Sequence, residues 1–346
     1  MVSERLKKIC DVTLTSGTAL QELYKTRREL HGAFRGCSEV IHKETGVHFA
    51  MRVLSNEDLS HERKQSELHA SVTAQRKLND TLDADEMKFA TLCRLYEVLG
   101  TKNHIVLINE LAPTGGNVCT DLHSLIERAG RLDERDARQI FARLVLATKR
   151  AHDNGVMLRN IKPEAIQVRQ PDAGGTWEVH IADLHCATLV ADEDEGSISG
   201  LHGTPEFCAP EVVLWYWQEC EPCLLPEPPP RYGLKADVWS LGMCLHVMLC
   251  GCFPFEQSGE TDQMLRDINA ASFSFSDPGW ARFSDEALDM VRLLLQRDPF
   301  DRPCAEEVLQ HPFCEQAVQE AVNACGGRLR SVDFDQALAA LEDDDD

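Results

Sequence analysis

Hydrophobic and polar residues alternate along the first third of the chain. The segment VHFAMRVL at 47–54 has this two-residue period, and the turn sequence HKETG stands directly before it. A second apolar run, IVLINEL at 105–111, follows the turn sequence GTKN. Alternation and short apolar runs between turns are typical of β-strands. The pattern therefore predicts a sheet over residues 24–112, interrupted by one polar helix near 59–82.

The hydrophobic period becomes that of a helix from about residue 120 onward. One set of residues then recurs at spacings of three and four, on one face of an amphipathic helix: Ala137, Ile140, Phe141, Leu144, Val145 and Thr148. The segment at 236–251 is apolar almost all round, which predicts a buried central helix. Residues 215–233 are rich in Pro, Glu and Trp and predict an irregular loop. The acidic end predicts a solvated tail with one short helix at 334–342.

Composition and charge narrow the classes of partner. A chain of 346 residues with 43% hydrophobic content is long enough to bury a substantial core. The 57 acidic residues outnumber the 35 Lys and Arg residues and give a net charge of −22, which repels phosphate backbones and anionic lipids. This charge argues against nucleic-acid and membrane binding. The lack of a long apolar run, and 14 scattered cysteines interpreted as reduced thiols, predict a cytoplasmic protein.

Five short motifs occur in a fixed order in the second half of the chain. They are GTPEFCAPEV at 203–212, DVWSLG at 237–242, GCFPF at 251–255, RDPFDRP at 297–303 and HPF at 311–313. With these motifs the chain resembles a eukaryotic protein kinase. The segment GAFRGCSEVIHKETGVHFAMRVL is most similar to the calcium/calmodulin-dependent kinase group. Ordered motifs are far more specific than a single short match.

The resemblance implies an α+β fold with two lobes, a small antiparallel sheet lobe and a larger, mainly helical lobe. It divides the chain into an N-terminal extension, a kinase-like N-lobe, a kinase-like C-lobe and an acidic C-terminal tail, at residues 1–23, 24–112, 113–315 and 316–346. In the family Glu211 pairs with Arg302, and Asp237 caps backbone amides near the catalytic loop. Loss of either partner would leave an unpaired buried charge.

The catalytic loop of the family reads H-R-D-L-K-P-E-N, and residues 158–165 of this chain read LRNIKPEA. Asn160 stands at the position of the catalytic aspartate, and its amide has no useful basicity near neutral pH. Lys162 matches the lysine of the motif. Ala165 replaces an asparagine that coordinates magnesium, and a methyl group offers no lone pair. The loop therefore predicts impaired phosphoryl transfer.

The metal-binding D-F-G triplet of the family reads DLH here. Asp183 keeps the carboxylate, so the resemblance implies that magnesium binds through Asp183 only. His185 replaces a glycine, and its side chain is expected to penalise a positive φ and to restrict the backbone hinge. His185 is either a metal ligand or a histidine at a tolerated structural position.

Two changes affect the predicted phosphate site. Arg52 stands where the family has a lysine that fixes the α and β phosphates, and a guanidinium differs from an ammonium in size and direction. Glu67 is the candidate partner of Arg52 on the first-lobe helix, with an ordinary solvated glutamate as the alternative. The glycine-rich loop keeps Gly32, while Arg35 stands near its third glycine position.

The predicted hinge between the lobes lies at the end of IVLINEL. The backbone of Glu110 and Leu111 is expected to meet an adenine edge, so an adenine-shaped pocket is one hypothesis. Because Arg52 and the degraded glycine-rich loop weaken phosphate binding, the resemblance implies that ATP binding is weak or absent.

These substitutions favour a pseudokinase, a kinase-shaped module that acts as a scaffold or allosteric regulator of a partner protein such as an active kinase. The alternative is a slow or atypical ATP-dependent serine/threonine protein kinase that uses Lys162 and Asp183. A third hypothesis is another nucleotide-dependent transfer on the same fold. Calmodulin binding is not expected, because calmodulin targets are basic amphipathic helices and the tail is acidic.

Overall fold

The structure, a computed structural model, describes residues 13–14, 17–80, 90–113, 115–191, 197–220, 229–255, 261–273, 275 and 278–324. Its strands are β1 (Thr13–Leu14), β2 (Tyr24–Glu29), β3 (Ser38–His42), β4 (His48–Ser55), β5 (Ala90–Leu92), β6 (Leu95–Gly100), β7 (His104–Glu110), β8 (Val118–Asp121), β9 (Val156–Met157), β10 (Ile166–Gln170), β11 (Glu178–Ile181) and β12 (Thr188–Leu189). Its helices are α1 (Gly17–Leu23), α2 (Glu62–Asp80), α3 (Leu122–Ala129), α4 (Glu134–Asp153), α5 (Pro210–Cys220), α6 (Lys235–Cys250), α7 (Thr261–Ala270), α8 (Asp285–Leu294), α9 (Ala305–Gln310) and α10 (Pro312–Ala324).

The first region is an antiparallel sheet with one long helix against it. β6, β7, β4, β3 and β2 are neighbours in that order, and each pair is antiparallel. β1 adds a parallel pair at the β6 edge. Leu68 and Val72 of α2 share a small hydrophobic core with Val98 and Leu107 of the sheet. The buried face of the helix therefore closes one side of the sheet.

The second region is mainly helical and is organised around α4 and α6. The six residues predicted to face inward on α4 are all buried. α6 is buried from Ala236 to Leu249, as its apolar sequence predicts. The α+β class is confirmed: a small antiparallel sheet precedes a largely helical region. None of the helices within the described ranges is both long and apolar enough to span a membrane.

The structure corrects the irregular loop predicted at 215–233. Its first part is helical, because α5 extends to Cys220. Trp215 and Trp217 pack partly buried against the main hydrophobic core, and Nε1 of Trp215 donates a 3.2 Å hydrogen bond to the carbonyl of Pro230. Burial of these rings therefore favours the helix over the loop suggested by composition. Residues 221–228 lie outside the described residues.

The chain also continues as a helix where the acidic tail was expected to begin. α10 runs to Ala324, and its Phe313, Ala317 and Val318 are buried in the main core. This apolar face holds the helix against α4 and α8. The short helix predicted at 334–342 lies outside the described residues.

A buried ion pair joins two parts of the helical region. Glu211 belongs to the motif GTPEFCAPEV at 203–212, which resembles the end of the activation segment of a kinase, and Arg302 belongs to the motif RDPFDRP at 297–303. Nη1 and Nη2 of Arg302 donate hydrogen bonds of 2.7 and 2.8 Å to the two carboxylate oxygens of Glu211. The guanidinium also donates to the carbonyls of Gln296, Lys235 and Arg297. The Arg302 side chain has no exposed surface, so the pair satisfies charges that water cannot reach.

We expect Arg302→Met to lower the free energy of unfolding by about 3–5 kcal/mol, because the buried Glu211 carboxylate and three carbonyls lose their donor. Urea unfolding measures this loss. The exposed Arg128→Met is the matched control and should change stability by less than about 0.5 kcal/mol. A loss below about 1 kcal/mol for Arg302→Met would contradict this role of the pair.

His246 should make stability depend on pH. Burial lowers its pKa to about 4, against an opposing effect of the hydrogen bond that Nδ1 donates to the carbonyl of Cys252. A histidine in the unfolded chain has a pKa of about 6.5. The contribution of the buried, neutral His246 to the free energy of unfolding is therefore complete above that pH and is lost as the pH falls towards 4. When the pH is lowered from 7 to 5, the free energy of unfolding of the unaltered protein should fall by up to about 2 kcal/mol more than that of His246→Gln. The exposed His61→Gln should behave like the unaltered protein in the same urea titrations.

Candidate functional site

The loop at 158–165 follows β9 and is held in shape by one buried carboxylate. Asp237, in the first turn of α6, accepts hydrogen bonds from the backbone amides of Leu158 at 2.7 Å and Arg159 at 2.8 Å. Nε2 of His152 lies 2.9 Å from the same carboxylate. Arg159 has a φ of 60°, which is strained for a residue with a side chain. The bonds to Asp237 stabilise this turn and so fix the positions of the residues that follow.

Asn160, at the position of the catalytic aspartate, faces a hydroxyl group of the activation segment. Its Oδ1 accepts a 3.1 Å hydrogen bond from Oγ1 of Thr204. The same hydroxyl accepts a 2.6 Å hydrogen bond from Nζ of Lys162. The structure thus brings Asn160 and Lys162 together around Thr204. The side chain of Asn160 is buried and neutral, and it has no basic atom that could accept a proton from a substrate.

Ala165 lies next to the segment that carries Asp183. The backbone carbonyl of Ala165 accepts a 2.9 Å hydrogen bond from the amide of Ala182, which follows β11. The methyl group of Ala165 is buried. One of the two side chains that the resemblance assigns to metal ions is therefore a hydrocarbon in this position.

The carboxylate of Asp183 is in contact with two cationic side chains. Its Oδ1 lies 2.5 Å from Nδ1 of His185 and 3.5 Å from Nη1 of Arg52. Burial acts to raise the pKa of Asp183, but the hydrogen bond and charge of His185, with the charge of Arg52, hold it below its usual value. Burial lowers the pKa of His185, yet its hydrogen bonds to Asp183 and Cys186 raise it to about 10. Asp183 is thus an ionised carboxylate already neutralised by the chain itself.

His185 does not take the backbone conformation that its substitution for glycine was expected to penalise. Among the described residues, the only ones other than glycine with a positive φ are Arg159 and Ala271. His185 instead turns its ring towards Asp183, and Nε2 lies 3.2 Å from Sγ of Cys186. Its role in the structure is therefore electrostatic, as a cationic neighbour of Asp183.

The expected pair between Arg52 and Glu67 is corrected by the structure. Arg52 donates to the carbonyl of Arg35 at 3.2 Å and contacts Asp183, while Glu67 accepts a 3.0 Å hydrogen bond from Nε of Arg63. Oε1 of Glu67 also lies 3.7 Å from Nδ1 of His202. Glu67 therefore lies on the side of α2 that faces the activation segment. Burial lowers the pKa of Arg52, but the interactions with Asp183, Cys37 and Cys186 together raise that pKa above its usual value.

The residue of α2 that faces the cleft is Gln75, which the sequence interpretation missed. Nε2 of Gln75 donates to Oγ of Ser71 at 3.0 Å and to the carbonyl of Leu184 at 3.4 Å. Gln75 lines the same small cavity as Arg52. A signal was present, because Leu68, Val72 and Leu78 are the large apolar residues of α2 and Gln75 falls on their face at helical spacing. The helix therefore places an amide instead of a carboxylate in the cavity that Arg52 lines.

The degraded glycine-rich loop folds into the space between the two regions. Gly32 has a φ of 59° and begins a short 3₁₀ turn, Gly32–Phe34. This turn packs on β8, β10 and the 3₁₀ turn Pro163–Ala165. Phe34 is only 5% exposed and belongs to one hydrophobic cluster with Ala50, Cys93 and Ala112. A phenyl ring of the chain thus fills the space beneath the sheet.

The hinge residues are in contact with their own chain. The amide of Glu110 donates a 2.8 Å hydrogen bond to the carbonyl of Arg94, and one carboxylate oxygen of Glu110 accepts from the amide of Arg94 at 3.1 Å. Leu111 packs partly buried on the cluster that contains Phe34. Glu110 and Leu111 therefore border the filled space.

The residues of this cleft do not fit the magnesium–nucleotide complex that the resemblance implies. The cavity left between Phe34, Arg52 and Asp183 has a volume of about 20 Å³, and a single water needs roughly 10–15 Å³. Oδ1 of Asp183 is engaged by two cations, and Ala165 supplies no ligand atom. In the part of the chain that the structure describes, no group of three or more His, Cys, Asp or Glu side chains could hold a metal ion.

Comparison with known proteins places this site in context. The model of the protein kinase domain matches residues 24–314. Calcium/calmodulin-dependent protein kinase type I of Schizosaccharomyces pombe is 28% identical over 291 residues, covering 84% of this chain and 78% of that protein. The phosphorylase b kinase gamma catalytic chain, liver/testis isoform, of Bos taurus is 29% identical over 314 residues, covering 87% of this chain and 70% of that protein.

A third relative shows that the similarity is confined to one region of some proteins. Serine/threonine-protein kinase DCLK3 of Homo sapiens is 28% identical over 300 residues, which is 86% of this chain but 41% of DCLK3. The matching family model covers most of the chain, and the relatives are serine/threonine kinases of the calcium/calmodulin-dependent group. The chain therefore belongs to the protein kinase domain family, with distant similarity to that group.

Proposed function

We propose that this protein is a pseudokinase, which keeps the shape of a protein kinase and scaffolds or allosterically regulates a partner protein. The observation that carries the proposal is the pair of substitutions in an otherwise well-formed loop. Asn160 offers an amide oxygen where a carboxylate would orient and deprotonate the acceptor hydroxyl, and Ala165 offers a methyl group where a metal ligand is needed. Either change alone impairs phosphoryl transfer, and together their effects multiply.

The charges around Asp183 support the same proposal. In phosphoryl transfer this carboxylate would bring magnesium to the phosphates of a nucleotide. Here Arg52 and His185 are within 3.5 Å of its Oδ1. Both groups would repel a metal ion, which would have to displace them to bind the carboxylate oxygen. Family membership implies a site for ATP and magnesium, and this arrangement favours weak or absent binding of both.

The framework that remains intact is the part a scaffold needs. Arg63 of α2 donates to Oε2 of Glu219 at 2.7 Å and to the carbonyl of Leu201 at 3.0 Å. Oε1 of Glu219 accepts a 2.9 Å hydrogen bond from the amide of Leu201. These bonds tie α2, the activation segment and α5 into one surface. We propose that this surface binds a protein, an active kinase in particular, and that nucleic acid and calmodulin are not partners.

The runner-up is a slow or atypical serine/threonine protein kinase. It is favoured by one observation, the contact of Lys162 with the activation segment close to Asn160. A lysine at this place could still neutralise a transferred phosphoryl group. In this reading Asp183 would have to release His185 before it could bind a metal ion.

Phosphate transfer from radiolabelled ATP, measured with magnesium and with manganese, tests the proposal. We expect incorporation into peptides and into the protein itself to equal the background of Asp183→Ala, at least about 1,000-fold below kinase turnover of about 1–100 s⁻¹. Asn160→Asp should also stay at background, because in this variant Ala165 still supplies no metal ligand and His185 still contacts Asp183.

Transfer at an ordinary kinase rate that disappears in Asp183→Ala would overturn the proposed function. Slow transfer with the same dependence on Asp183 would favour the runner-up instead. Intact-mass measurement after incubation with ATP separates addition of a nucleotide from addition of phosphate, and so checks the atypical alternative.

A further inference from the structure

The turn at residues 32–35, here called the latch, carries a ring into the centre of the cleft. Phe34 shares a hydrophobic cluster with Ala50 and Cys93 of the sheet region and with Ala112 after the hinge. Leu111 and Ala182 pack partly buried on the same cluster. The ring therefore belongs to a cluster that includes residues from both sides of the cleft, and burial of this cluster removes apolar surface of both regions from water.

The latch fits closely against the start of the helical region at Gly32. A Cβ atom at Gly32 would lie 3.0 Å from Cγ and 3.1 Å from Cβ of Asp121, and closer still to Oδ2. Asp121 cannot easily move away, because its Oδ1 accepts from the amide of Ser124 and its Oδ2 from the Ser124 hydroxyl, both at 2.8 Å. These bonds cap the N-terminus of α3. The seated turn therefore has room for glycine only.

The polar end of the latch is bonded to the residues around Asp183. The carbonyl of Arg35 accepts a 3.2 Å hydrogen bond from Nη2 of Arg52, whose Nη1 contacts Asp183. Within the turn, the amide of Arg35 donates to the carbonyl of Gly32 and the amide of Cys37 donates to that of Phe34. One connected set of bonds thus joins the latch to the carboxylate.

We infer that the latch closes this cleft from within: Phe34 occupies the place of a flat ring ligand, and the cleft opens only when Gly32–Phe34 leaves the surface of β8, β10 and the turn Pro163–Ala165. The inference rests on the proposed function, because it describes how the cleft of a non-catalytic protein is regulated. It adds a closed and an open state to that protein, in which the open state exposes the apolar walls around Ala50 and Ala112.

The open cleft should take an uncharged, planar aromatic ring. Its walls are small or apolar side chains, namely those of Ala50, Cys93, Leu111, Ala112 and Ala182. These walls fit a flat ring in the place of the phenyl group of Phe34. Magnesium and phosphate groups should add little, because Nη1 of Arg52 and Nδ1 of His185 already lie 3.5 and 2.5 Å from Oδ1 of Asp183.

Two glycine substitutions in one loop make a matched test. Gly32→Ala and Gly36→Ala both place a methyl group at a positive φ, of 59° and 81°, so the two variants share the backbone strain. Only Gly32 has atoms within 4 Å of the added methyl group, whereas nothing lies that close at Gly36. Gly32→Ala should therefore unseat the latch, and Gly36→Ala should leave it in place.

Thiol labelling followed by peptide mass mapping reports the state of the latch. Cys93 is 3% exposed in the Phe34 cluster, while Cys244 is fully buried in the helical core and reports global unfolding. We expect Cys93 to be labelled at least about tenfold faster in Gly32→Ala than in Gly36→Ala, as expected for an overpacked contact, with Cys244 protected in both. Equal labelling of Cys93 in the two variants overturns the latch.

Adenosine, followed by thermal shift, is the probe for the opened cleft. Gly32→Ala should be stabilised by adenosine, and adding ATP with magnesium should give no larger shift. The unaltered protein and Gly36→Ala should show no shift. Adenosine binding to the unaltered protein as strong as to Gly32→Ala would overturn the latch but leave the absence of phosphate transfer untouched.

Phe34→Ala is an independent variant, because it removes the ring and keeps the turn. The vacated apolar space should admit adenosine while Cys244 stays protected. If Gly32→Ala unfolds, so that the reagent labels its Cys244, the result with Phe34→Ala decides whether the latch exists. Failure of both variants to separate Cys93 labelling from Cys244 labelling shows that the latch is wrong.

Discussion

One buried carboxylate shapes the loop on which the whole site depends. Asp237 has no exposed surface, and it binds two consecutive backbone amides and a histidine ring. These bonds involve the backbone of residues 158 and 159, so they hold the loop regardless of the side chains that follow. Asn160 and Ala165 can therefore replace the aspartate and asparagine of the family motif without disturbing the backbone of the loop. Backbone atoms determine the shape of this loop, and side-chain atoms determine its chemistry.

A second constraint is the charge balance around Asp183. A buried carboxylate is costly unless opposite charge lies close to it. This chain supplies that charge from Arg52 on the sheet and His185 beside the carboxylate, while α2 contributes the neutral Gln75. The carboxylate in the cleft therefore has opposite charges beside it without a bound ligand. The apolar side needs no ligand either, because Phe34 covers the walls that a planar ligand would otherwise cover.

The sequence was informative where a repeating pattern or a long motif decides the structure. The two-residue period of 47–54 and the helical period of α4 predicted the two regions, and the motifs in the helical half placed Glu211 near Arg302. The partner of Arg52 could not be predicted in the same way. The spacing of Leu68, Val72 and Leu78 puts Gln75 on the buried face of α2, but this spacing does not show that Gln75 lines the cavity of Arg52. The position of Phe34 depends on contacts between distant segments, which local spacing does not encode.

The contact between Gly203 and Arg159 has a mechanical consequence. A Cβ atom at Gly203 would collide with the carbonyl oxygen of Arg159, so the activation segment and the loop meet backbone to backbone with no side chain between them. Side chains can absorb a small displacement by changing rotamer, whereas two peptide groups in direct contact cannot. A displacement of the segment at Gly203 therefore reaches the strained backbone of Arg159, next to Asn160, with no side chain between them to absorb it.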